Sequence, residues 1–238
     1  IEDTTESYDG PTWSEVADLS TARLSLQGFG TLTASLAAGG LTEATHLIST
    51  TAVETWDETS WTETTEMTNA RFAGGSLGTP FTYRSFTETW NGSAWTETGN
   101  TNVAKYNLTG CGSTTSGLII GGGSPPGAGP NNHEQWNGST WTETTENNTG
   151  RQSGAGSGPS GDDALFFSGG PSHTGATEQW DGSSWTEISD LSTARKAWDM
   201  GAGTTSAAVC GGGGAATART NVTEEFSFSA SAETVAVD

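Results

Sequence analysis

A pair of aromatic residues five positions apart recurs along the chain and constrains its fold more than any other feature. The five complete copies are Tyr8-Asp-Gly-Pro-Thr-Trp13, Trp56-Asp-Glu-Thr-Ser-Trp61, Trp90-Asn-Gly-Ser-Ala-Trp95, Trp136-Asn-Gly-Ser-Thr-Trp141 and Trp180-Asp-Gly-Ser-Ser-Trp185. A sixth, degenerate copy begins at Phe226 and has Ser231 where Trp is expected. The copies start 48, 34, 46, 44 and 46 residues apart, and nothing between them has helical periodicity. Such spacings indicate the blades of a β-propeller.

Other residues keep a fixed register to each aromatic pair. Glu stands two positions before the first ring in every copy and two positions after the second ring in the complete copies. A cation follows ten positions after the second ring, at Arg23, Arg71, Lys105, Arg151 and Arg195. Four units then contain an apolar strand that ends in a glycine pair: Gly39-Gly40, Gly121-Gly122, Gly169-Gly170 and Gly211-Gly212. The short second unit lacks this element.

Each unit is therefore predicted to contain a Gly-rich strand, a buried strand ending in the glycine pair, and a hairpin that carries the two rings. Asn-Gly or Asp-Gly in the hairpin supplies the positive φ of a tight turn. Residues two apart share a strand face, so the paired rings should stack across the hairpin and the two Glu should lie close together. The cation at fixed register is the candidate to neutralise them.

This pattern resembles the kelch family of β-propellers, in which a Gly-Gly pair, Glu-x-aromatic, Trp and Arg recur in this order. The tract EQWNGSTWTETTENNTGR is similar to the Thr-rich, acidic repeats of bacteriophage tail-fibre and surface proteins. The resemblance implies an all-β, kelch-like propeller in one domain, with five blades expected, six as the alternative, and one blade short. The predicted units are 8–55, 56–89, 90–135, 136–179 and 180–225, followed by a closing strand or tail at 226–238.

Six hairpin copies with only five cation segments leave one hairpin over in a five-bladed ring. An unpaired strand edge tends to recruit a partner. We therefore expect one terminal segment, either residues 1–15 or residues 222–238, to leave the ring and contact another chain. This contact would make a homo-oligomer or a structural assembly possible.

Charge and composition exclude several partners. Lys and Arg number 8 against 28 Asp and Glu, which gives a formal net charge of −20. Such a chain repels phosphate, so neither nucleic acid nor an anionic membrane surface is an expected partner, and no apolar run is long enough to insert in a membrane. The hydrophobic content of 32% is low, but ten Trp argue against disorder. Cys111 and Cys210 are interpreted as small unbridged residues, although one disulfide stays open.

Candidate ligand contacts are residues outside the repeat register. The paired rings are assigned to blade packing rather than to sugar stacking, because they bury large apolar area in a Leu-poor chain. Trp198, Tyr83 and Phe86 lie outside the register, and His173 and Asp162 lie in variable loops, where a solvated loop is the alternative for Asp162. The loops after Gly40, Gly122, Gly170 and Gly213 are expected to carry the binding surface.

The sequence contains no recognisable catalytic set, so no enzyme activity, cofactor or metal is expected. The three His lack metal spacing, and no Ca²⁺ loop, phosphate loop or nucleophile elbow is present. The expected function is adhesion or recognition of a host-surface glycan or protein, on a virion surface or in the extracellular space. A structural subunit that contacts other proteins of the same assembly is the alternative, and a calcium-assisted lectin is a third possibility. Five Asn-x-Ser/Thr sequons fit an exposed surface.

Overall fold

The computed structural model describes residues 3–42, 49–69, 85–123, 132–197, 201–216 and 218–227, and all their regular structure is β. The strands are β1 (Thr5–Tyr8), β2 (Trp13–Val16), β3 (Gln27–Thr31), β4 (Ala34–Ala38), β5 (Val53–Trp56), β6 (Trp61–Glu63), β7 (Glu88–Trp90), β8 (Trp95–Glu97), β9 (Thr109–Gly112), β10 (Gly117–Ile120), β11 (His133–Trp136), β12 (Trp141–Thr144), β13 (Ala155–Ser160), β14 (Asp163–Phe167), β15 (Thr177–Trp180), β16 (Trp185–Ile188), β17 (Gly201–Gly203), β18 (Ala207–Gly211) and β19 (Thr223–Ser227). None of the described residues forms a helix long and apolar enough to cross a membrane.

The strands form antiparallel sheets of two, three or four members in a propeller arrangement. Blade 1 contains β3 to β6, blade 2 contains β9 to β12, blade 3 contains β13 to β16, and blade 4 contains β17 to β19. Two further sheets are isolated hairpins, the N-terminal hairpin β1–β2 and the middle hairpin β7–β8. The all-β propeller prediction is confirmed, but the described residues contain four blades rather than five. Residues 70–84, which precede the middle hairpin in the short second unit, lie outside the described residues.

The two aromatic residues of each pair lie directly opposite each other on the two strands, next to the turn of the hairpin. Trp56 pairs with Trp61, and Trp180 pairs with Trp185, in the same register as the remaining copies. Ring centroids in the five complete pairs lie 4.9–5.4 Å apart, with interplanar angles of 33–43°. The rings are therefore in contact, as expected, but they are tilted rather than stacked. Tilted rings at this distance bury apolar area and gain the added attraction of aromatic pairs.

The first turn residue explains why each hairpin closes tightly. In the blade 3 hairpin, Oδ1 of Asp181 accepts hydrogen bonds from the amides of Ser183 and Ser184, both at 2.8 Å. Hydrogen bonds from Ser183 and Ser184 lower the pKa of Asp181 to about 2. Asp9, Asp57, Asn91 and Asn137 cap their turns through the same side-chain oxygen. Such a turn is specified locally by Asp or Asn.

A buried cation holds three backbone and side-chain acceptors inside a blade. Arg23 donates to the carbonyls of Gly39 at 3.1 Å and Ala52 at 2.8 Å, and to Glu54 at 2.7 Å. The side chains of Arg23 and Glu54 are fully buried. In blade 4 the same places are taken by Arg195 and its acceptors, which are Gly212, Val222 and Glu224. We call this arrangement the cation clamp.

The clamp varies in blades 2 and 3. Arg151 of blade 3 lies 3.3 Å from Glu178 and 4.4 Å from the centre of the Phe166 ring. Lys105 of blade 2 donates to the carbonyl of Asn132. The predicted cation-Glu contact is therefore present in the three described Arg blades, whereas Arg71 lies outside the described residues. In these three blades the arginine contacts the first register Glu rather than standing between the two Glu of the hairpin.

The register Glu also fixes the segment through which the chain enters its blade. Glu54 accepts hydrogen bonds from the amide of Ser20 at 2.7 Å and from its hydroxyl at 2.8 Å. The donor stands three positions before the cation. The same amide contact to the register Glu is made by Thr68, Asn102, Asn148 and Ser192. One carboxylate thus joins the incoming segment to the third strand of every blade.

Side-chain contacts join blade 1, the middle hairpin and blades 2, 3 and 4 in this order. The second ring of a hairpin reaches the preceding sheet: Trp141 Nε1 donates to Thr87, and Trp185 Nε1 donates to the carbonyl of Thr145. Buried apolar clusters fill the spaces between blade 1 and the middle hairpin, between blades 2 and 3, and between blades 3 and 4. The core is therefore a set of layers between sheets.

The N-terminal hairpin closes the ring against blade 4. The Tyr8 hydroxyl donates to Glu225 at 2.8 Å, and Trp13 Nε1 donates to Thr223 at 3.1 Å. Thr223 stands directly before its register Glu, as Thr87 does in the contact with Trp141. The hairpin therefore occupies the place of one more sheet in the ring. Of the two predicted alternatives, the one in which residues 1–15 leave the ring is wrong for the described residues 3–15. Of residues 222–238, the part through Ser227 lies within blade 4, and residues 228–238 lie outside the described residues.

We predict that Glu58→Gly stabilises the fold. Gly10, Gly92, Gly138 and Gly182 take the second turn position with φ between 91° and 108°, whereas blade 1 places Glu58 there at φ 77°. A left-handed non-glycine residue costs about 1–2 kcal/mol, which exceeds the roughly 0.5–1 kcal/mol entropy cost of glycine. The free energy of unfolding in urea should rise by about 0.5–1 kcal/mol.

The reciprocal variant Gly182→Ala provides the matched control and should lower the free energy of unfolding by about 1 kcal/mol. If Glu58→Gly lowers the free energy of unfolding as much as Gly182→Ala does, then backbone strain at the second turn position does not limit stability.

Candidate functional site

The predicted ligand contacts do not converge on one place. Trp198 and Tyr83 lie outside the described residues. Asp162 is in the turn between β13 and β14, and His173 is in the turn between β14 and β15, so five-residue β14 separates them by about 17 Å. Phe86 is 40% exposed and precedes the middle hairpin. These residues therefore form no single pocket among the described residues.

Asp162 has a structural environment. Its Oδ1 accepts a hydrogen bond from Gln135 of blade 2 at 2.6 Å. The adjacent Asp163 accepts one from Thr205 of blade 4 at 2.8 Å. The acidic turn of blade 3 thus ties both neighbouring blades together, and this contact accounts for the local concentration of charge.

The glycine-pair turns build the opposite end of the ring. Two consecutive residues with φ between 60° and 108° reverse the chain in each blade, and these are Gly39-Gly40, Gly121-Gly122, Ser168-Gly169 and Gly212-Gly213. In blades 3 and 4 the two turn residues are therefore offset by one position from the glycine pairs read from the sequence, 169–170 and 211–212. Ser168 takes a left-handed conformation that usually favours glycine.

A short backbone bridge follows each of these turns. Gln152 and Gly170 exchange two hydrogen bonds of 3.0 Å, and Lys196 and Gly214 exchange bonds of 2.8 and 2.9 Å. Leu24 with Leu41 and Tyr106 with Gly123 make the same bridge. The residues directly after the cations are therefore fixed at one end of the ring. We call this end the Gly-Gly face.

Four chemically different side chains stand at this one register position on the Gly-Gly face. They are Leu24, Tyr106, Gln152 and Lys196, which we call the post-cation residues. All four are half-buried. The positions around them, namely cation, Glu and glycine pair, keep the same chemistry from blade to blade. Variation at one half-buried position of a constant frame is typical of a recognition surface.

Close packing holds some of these side chains in place. A Cβ atom on Gly123 would lie 2.2 Å from the Tyr106 ring, so the ring covers Gly123. A Cβ on Gly170 would lie 2.8 Å from Cε of Lys196, so this side chain reaches from blade 4 to the turn of blade 3. Oε1 of Gln152 is buried and has no hydrogen-bond partner among the described residues. An unpaired buried acceptor costs about 1–3 kcal/mol, and a ligand donor would offset that cost.

The buried Lys105 beneath Tyr106 differs electrostatically from the arginines. Burial lowers the pKa of Lys105 to about 8, while the charges of Glu134 and Glu143 act in the opposite direction. A lysine offers no planar fork, so Lys105 cannot reproduce the contacts that Arg23 makes. Lys105 remains a clamp residue rather than a ligand contact, since it is 1% exposed.

His133, which the sequence assigned to a variable segment without a clear partner, is instead a buried titratable residue at the start of β11. Its ring accepts a hydrogen bond from the Gly121 amide at 3.2 Å, and Nε2 lies 3.0 Å from Oδ1 of Asn147. Burial lowers the pKa of His133 to about 4, and nearby Lys105 and Arg151 act in the same direction. The neutral imidazole packs against Trp185, with ring centroids 5.1 Å apart and the rings tilted by 39°. It is a packing residue between blades 2 and 3.

The described residues contain no cluster of three His, Cys, Asp or Glu side chains that could hold a metal ion. Cys111 and Cys210 are both free thiols, as expected. Burial raises the pKa of the Cys210 thiol to about 11, which disfavours the reactive thiolate.

The post-cation residues of the Gly-Gly face offer an aromatic ring, an amide, an ammonium group and an apolar side chain to a ligand.

Sequence reasoning chose residues outside the repeat register and so missed the post-cation residues within it. The available signal was that the position before each post-cation residue is always a cation, whereas the post-cation residue itself differs from unit to unit. His133 carried a similar signal, because it stands directly before a register Glu, where the other units have Thr or Val.

Comparison with known proteins supports the fold. No protein-family model matches the chain, and no curated protein matches it. A solved structure described as the structure of YjhT is similar, with a TM-score of 0.71 and 12% sequence identity over 94% of this chain and 93% of that chain. At this identity the likeness shows the β-propeller fold alone.

We predict that His133 makes stability depend on pH between about 6.5 and 4. The folded pKa lies below the ordinary value of 6.5, so the unfolded chain binds more protons in this window. The stabilisation is complete above pH 6.5 and is lost as the pH falls through 4. A difference of this size corresponds to about 3 kcal/mol.

The measurement is urea unfolding of the wild type and of His133→Thr at several pH values. The variant takes the residue that blade 3 has at this register, Thr177, and should lose stability by a nearly constant amount above pH 6.5. The advantage of the wild type should shrink by about 3 kcal/mol between pH 7 and pH 4. Parallel stability curves would show that His133 titrates normally in the folded protein.

Proposed function

We propose that the protein is a non-enzymatic recognition module that binds a glycan or a protein of a cell surface through its Gly-Gly face. The observation that carries this proposal is the variation of the post-cation residues on an otherwise constant frame. The propeller fold is consistent with a binding role, because loops on a rigid scaffold commonly carry recognition.

The side chains of the Gly-Gly face suit a polar ligand with apolar faces. Tyr106 offers a flat ring for the C–H face of a sugar or for an apolar side chain. Gln152 offers a buried acceptor that has no hydrogen-bond partner in the described part of the chain, and Lys196 offers donors from the neighbouring blade. Because backbone bridges fix all three residues, little conformational entropy would be lost on binding.

The proposed setting is a virion surface or the extracellular space. The repeat resembles the kelch repeats of bacteriophage tail-fibre and surface proteins, and its net charge of −20 is suited to an exposed, soluble surface. A host-surface glycan or protein is the proposed ligand, and other structural proteins of the same assembly are the proposed neighbours. The absence of an enzyme activity remains part of the proposal.

We predict that removing the post-cation side chains abolishes recognition without unfolding the ring. The combined variant Tyr106→Ala, Gln152→Ala and Lys196→Ala should reduce binding at least about tenfold, which corresponds to roughly 1.4 kcal/mol. Binding is measured on a glycan array and on a panel of bacterial cells. The matched control Leu32→Ala removes an exposed side chain from the turn between β3 and β4, at the opposite end of the ring, and should bind like the wild type.

Array binding that is lost with the combined variant supports glycan recognition, and cell binding alone supports a protein receptor. Adding a chelator should change neither result. Loss of binding in the presence of the chelator would favour the calcium-assisted lectin. If the wild type binds neither glycans nor cells, or if the combined variant binds as well as Leu32→Ala, the proposal is wrong.

A further inference from the structure

The basic residues that the structure describes fall into two groups. Four are the buried cations of the clamps, namely Arg23, Lys105, Arg151 and Arg195. The others are Lys196, which is half-buried, and Arg219, which is exposed. In the described part of the chain neither of these two side chains forms a salt bridge. Accessible cations without acidic partners, in a chain with a net charge of −20, indicate a place for an anionic ligand.

Lys196 and Arg219 are fixed on either side of Gly214. Lys196 and Gly214 exchange two backbone hydrogen bonds, and Gly214 pairs in turn with Arg219. Residues that pair directly in an antiparallel sheet share a face, with Cα atoms about 4.5–5.5 Å apart. The two cations therefore lie on one face of blade 4, with about 10 Å between their Cα atoms. Gly214 places no side chain between them.

The position of Arg219 has counterparts in other blades. The amide of the next residue, Thr220, donates to the carbonyl of Gly213 in the glycine-pair turn at 2.9 Å. In blades 1 and 3 the equivalent bonds are made by Thr50 and Thr174. The residues directly before these threonines, which we call the pre-threonine residues, are Ser49, His173 and Arg219.

Blades 3 and 4 present polar side chains at both variable positions. Blade 3 has Gln152 as its post-cation residue and His173 as its pre-threonine residue, and both are half-buried. Lys196 extends from blade 4 toward blade 3, because its Cε would lie 2.8 Å from a Cβ on Gly170. Blade 1 has Leu24 and Ser49 at these positions, so the two cations distinguish blade 4.

We propose that blades 3 and 4 of the Gly-Gly face bind a linear acidic glycan whose sugar units carry carboxylates. This inference rests on the proposed recognition at the Gly-Gly face and names the class of its ligand. One carboxylate would bind the planar fork of Arg219, and a second would bind the ammonium group of Lys196. The separation of the two cations favours a ligand with several carboxylates over a ligand with one.

The neighbouring groups favour a glycan over other polyanions. Oε1 of Gln152 is a buried acceptor with no partner among the described residues, and a sugar hydroxyl would supply its donor. The imidazole of His173 would bind another hydroxyl. Affinity for nucleic acid depends on the number of phosphates neutralised, and two cations on so acidic a chain neutralise few. An acidic peptide segment offers carboxylates but lacks the ring of hydroxyls.

The test is calorimetric titration of the intact protein with a β-1,4-linked glucuronate tetrasaccharide. Cellotetraose is the matched neutral ligand, because it has the same linkage and carries hydroxymethyl groups in place of the carboxylates. The acidic tetrasaccharide should bind at least about tenfold more tightly than cellotetraose. Free glucuronate has one carboxylate and should bind at least about tenfold more weakly than the acidic tetrasaccharide.

Substitutions connect this preference to the two cations. Lys196→Met and Arg219→Met should each weaken binding of the acidic tetrasaccharide at least about fivefold, and Lys196→Arg, which keeps the charge, should retain it. The matched control is Leu32→Glu at the opposite end of the ring, which makes the net charge more negative by one unit, as Lys196→Met does. This control should bind like the wild type. An equal loss in Leu32→Glu would assign the effect to net charge and overturn the proposal.

The outcomes separate this inference from the proposed function. Equal binding of the acidic and neutral tetrasaccharides, or no binding of the acidic one, would overturn the glycan inference. Binding of tetraglutamate as tight as that of the acidic tetrasaccharide would overturn it in favour of an acidic protein segment. In each of these cases, binding to cells that is lost in the combined post-cation variant would leave the proposed function standing. Binding to neither glycans nor cells would contradict both.

Discussion

The contact between the register Glu and the buried cation connects the parts of each blade. Glu54 receives Arg23 from one side and the amide of Ser20 from the other. The same arginine holds the carbonyl of Gly39 in the glycine-pair turn. Burial lowers the pKa of Arg23, so the charge is costly to bury and depends on these acceptors. The turn, the incoming segment and the third strand are therefore fixed by one interaction.

The clamp explains why an acidic chain poor in large aliphatic residues folds into a ring. Glycine-rich strands offer little apolar area, so packing between sheets relies on the Trp pairs and on short clusters such as that of Leu118, Phe166 and Trp185. The cation clamp holds the turn and strand ends of each blade in place, and the paired rings fill space between the sheets. Where the glycine-pair turns are held by clamps, side chains on the Gly-Gly face can vary without loss of the fold.

The local features of this fold were predictable because each is specified within one repeat. The hairpins follow from Asp or Asn at the first turn position, and ring contact follows from the strand period of two. Ring closure was not predictable, because the contacts of Tyr8 with Glu225 and of Trp13 with Thr223 join residues more than 200 positions apart. The glycine-pair register failed where Ser168 accepts a left-handed conformation. The post-cation residues were not selected from the sequence, because candidate ligand contacts were sought only outside the repeat register.

A double-mutant cycle on Arg23 and Glu54 tests most directly whether the cation clamp holds the blade together. Arg23→Met and Glu54→Gln should each lower the free energy of unfolding by about 3–5 kcal/mol, because each leaves a buried group without its partner. The double variant should cost at least about 2 kcal/mol less than the two single losses added together. Arg219→Met, which removes an exposed cation, should change stability by less than about 0.5 kcal/mol. Additive losses, or single losses no larger than that of Arg219→Met, would contradict the account.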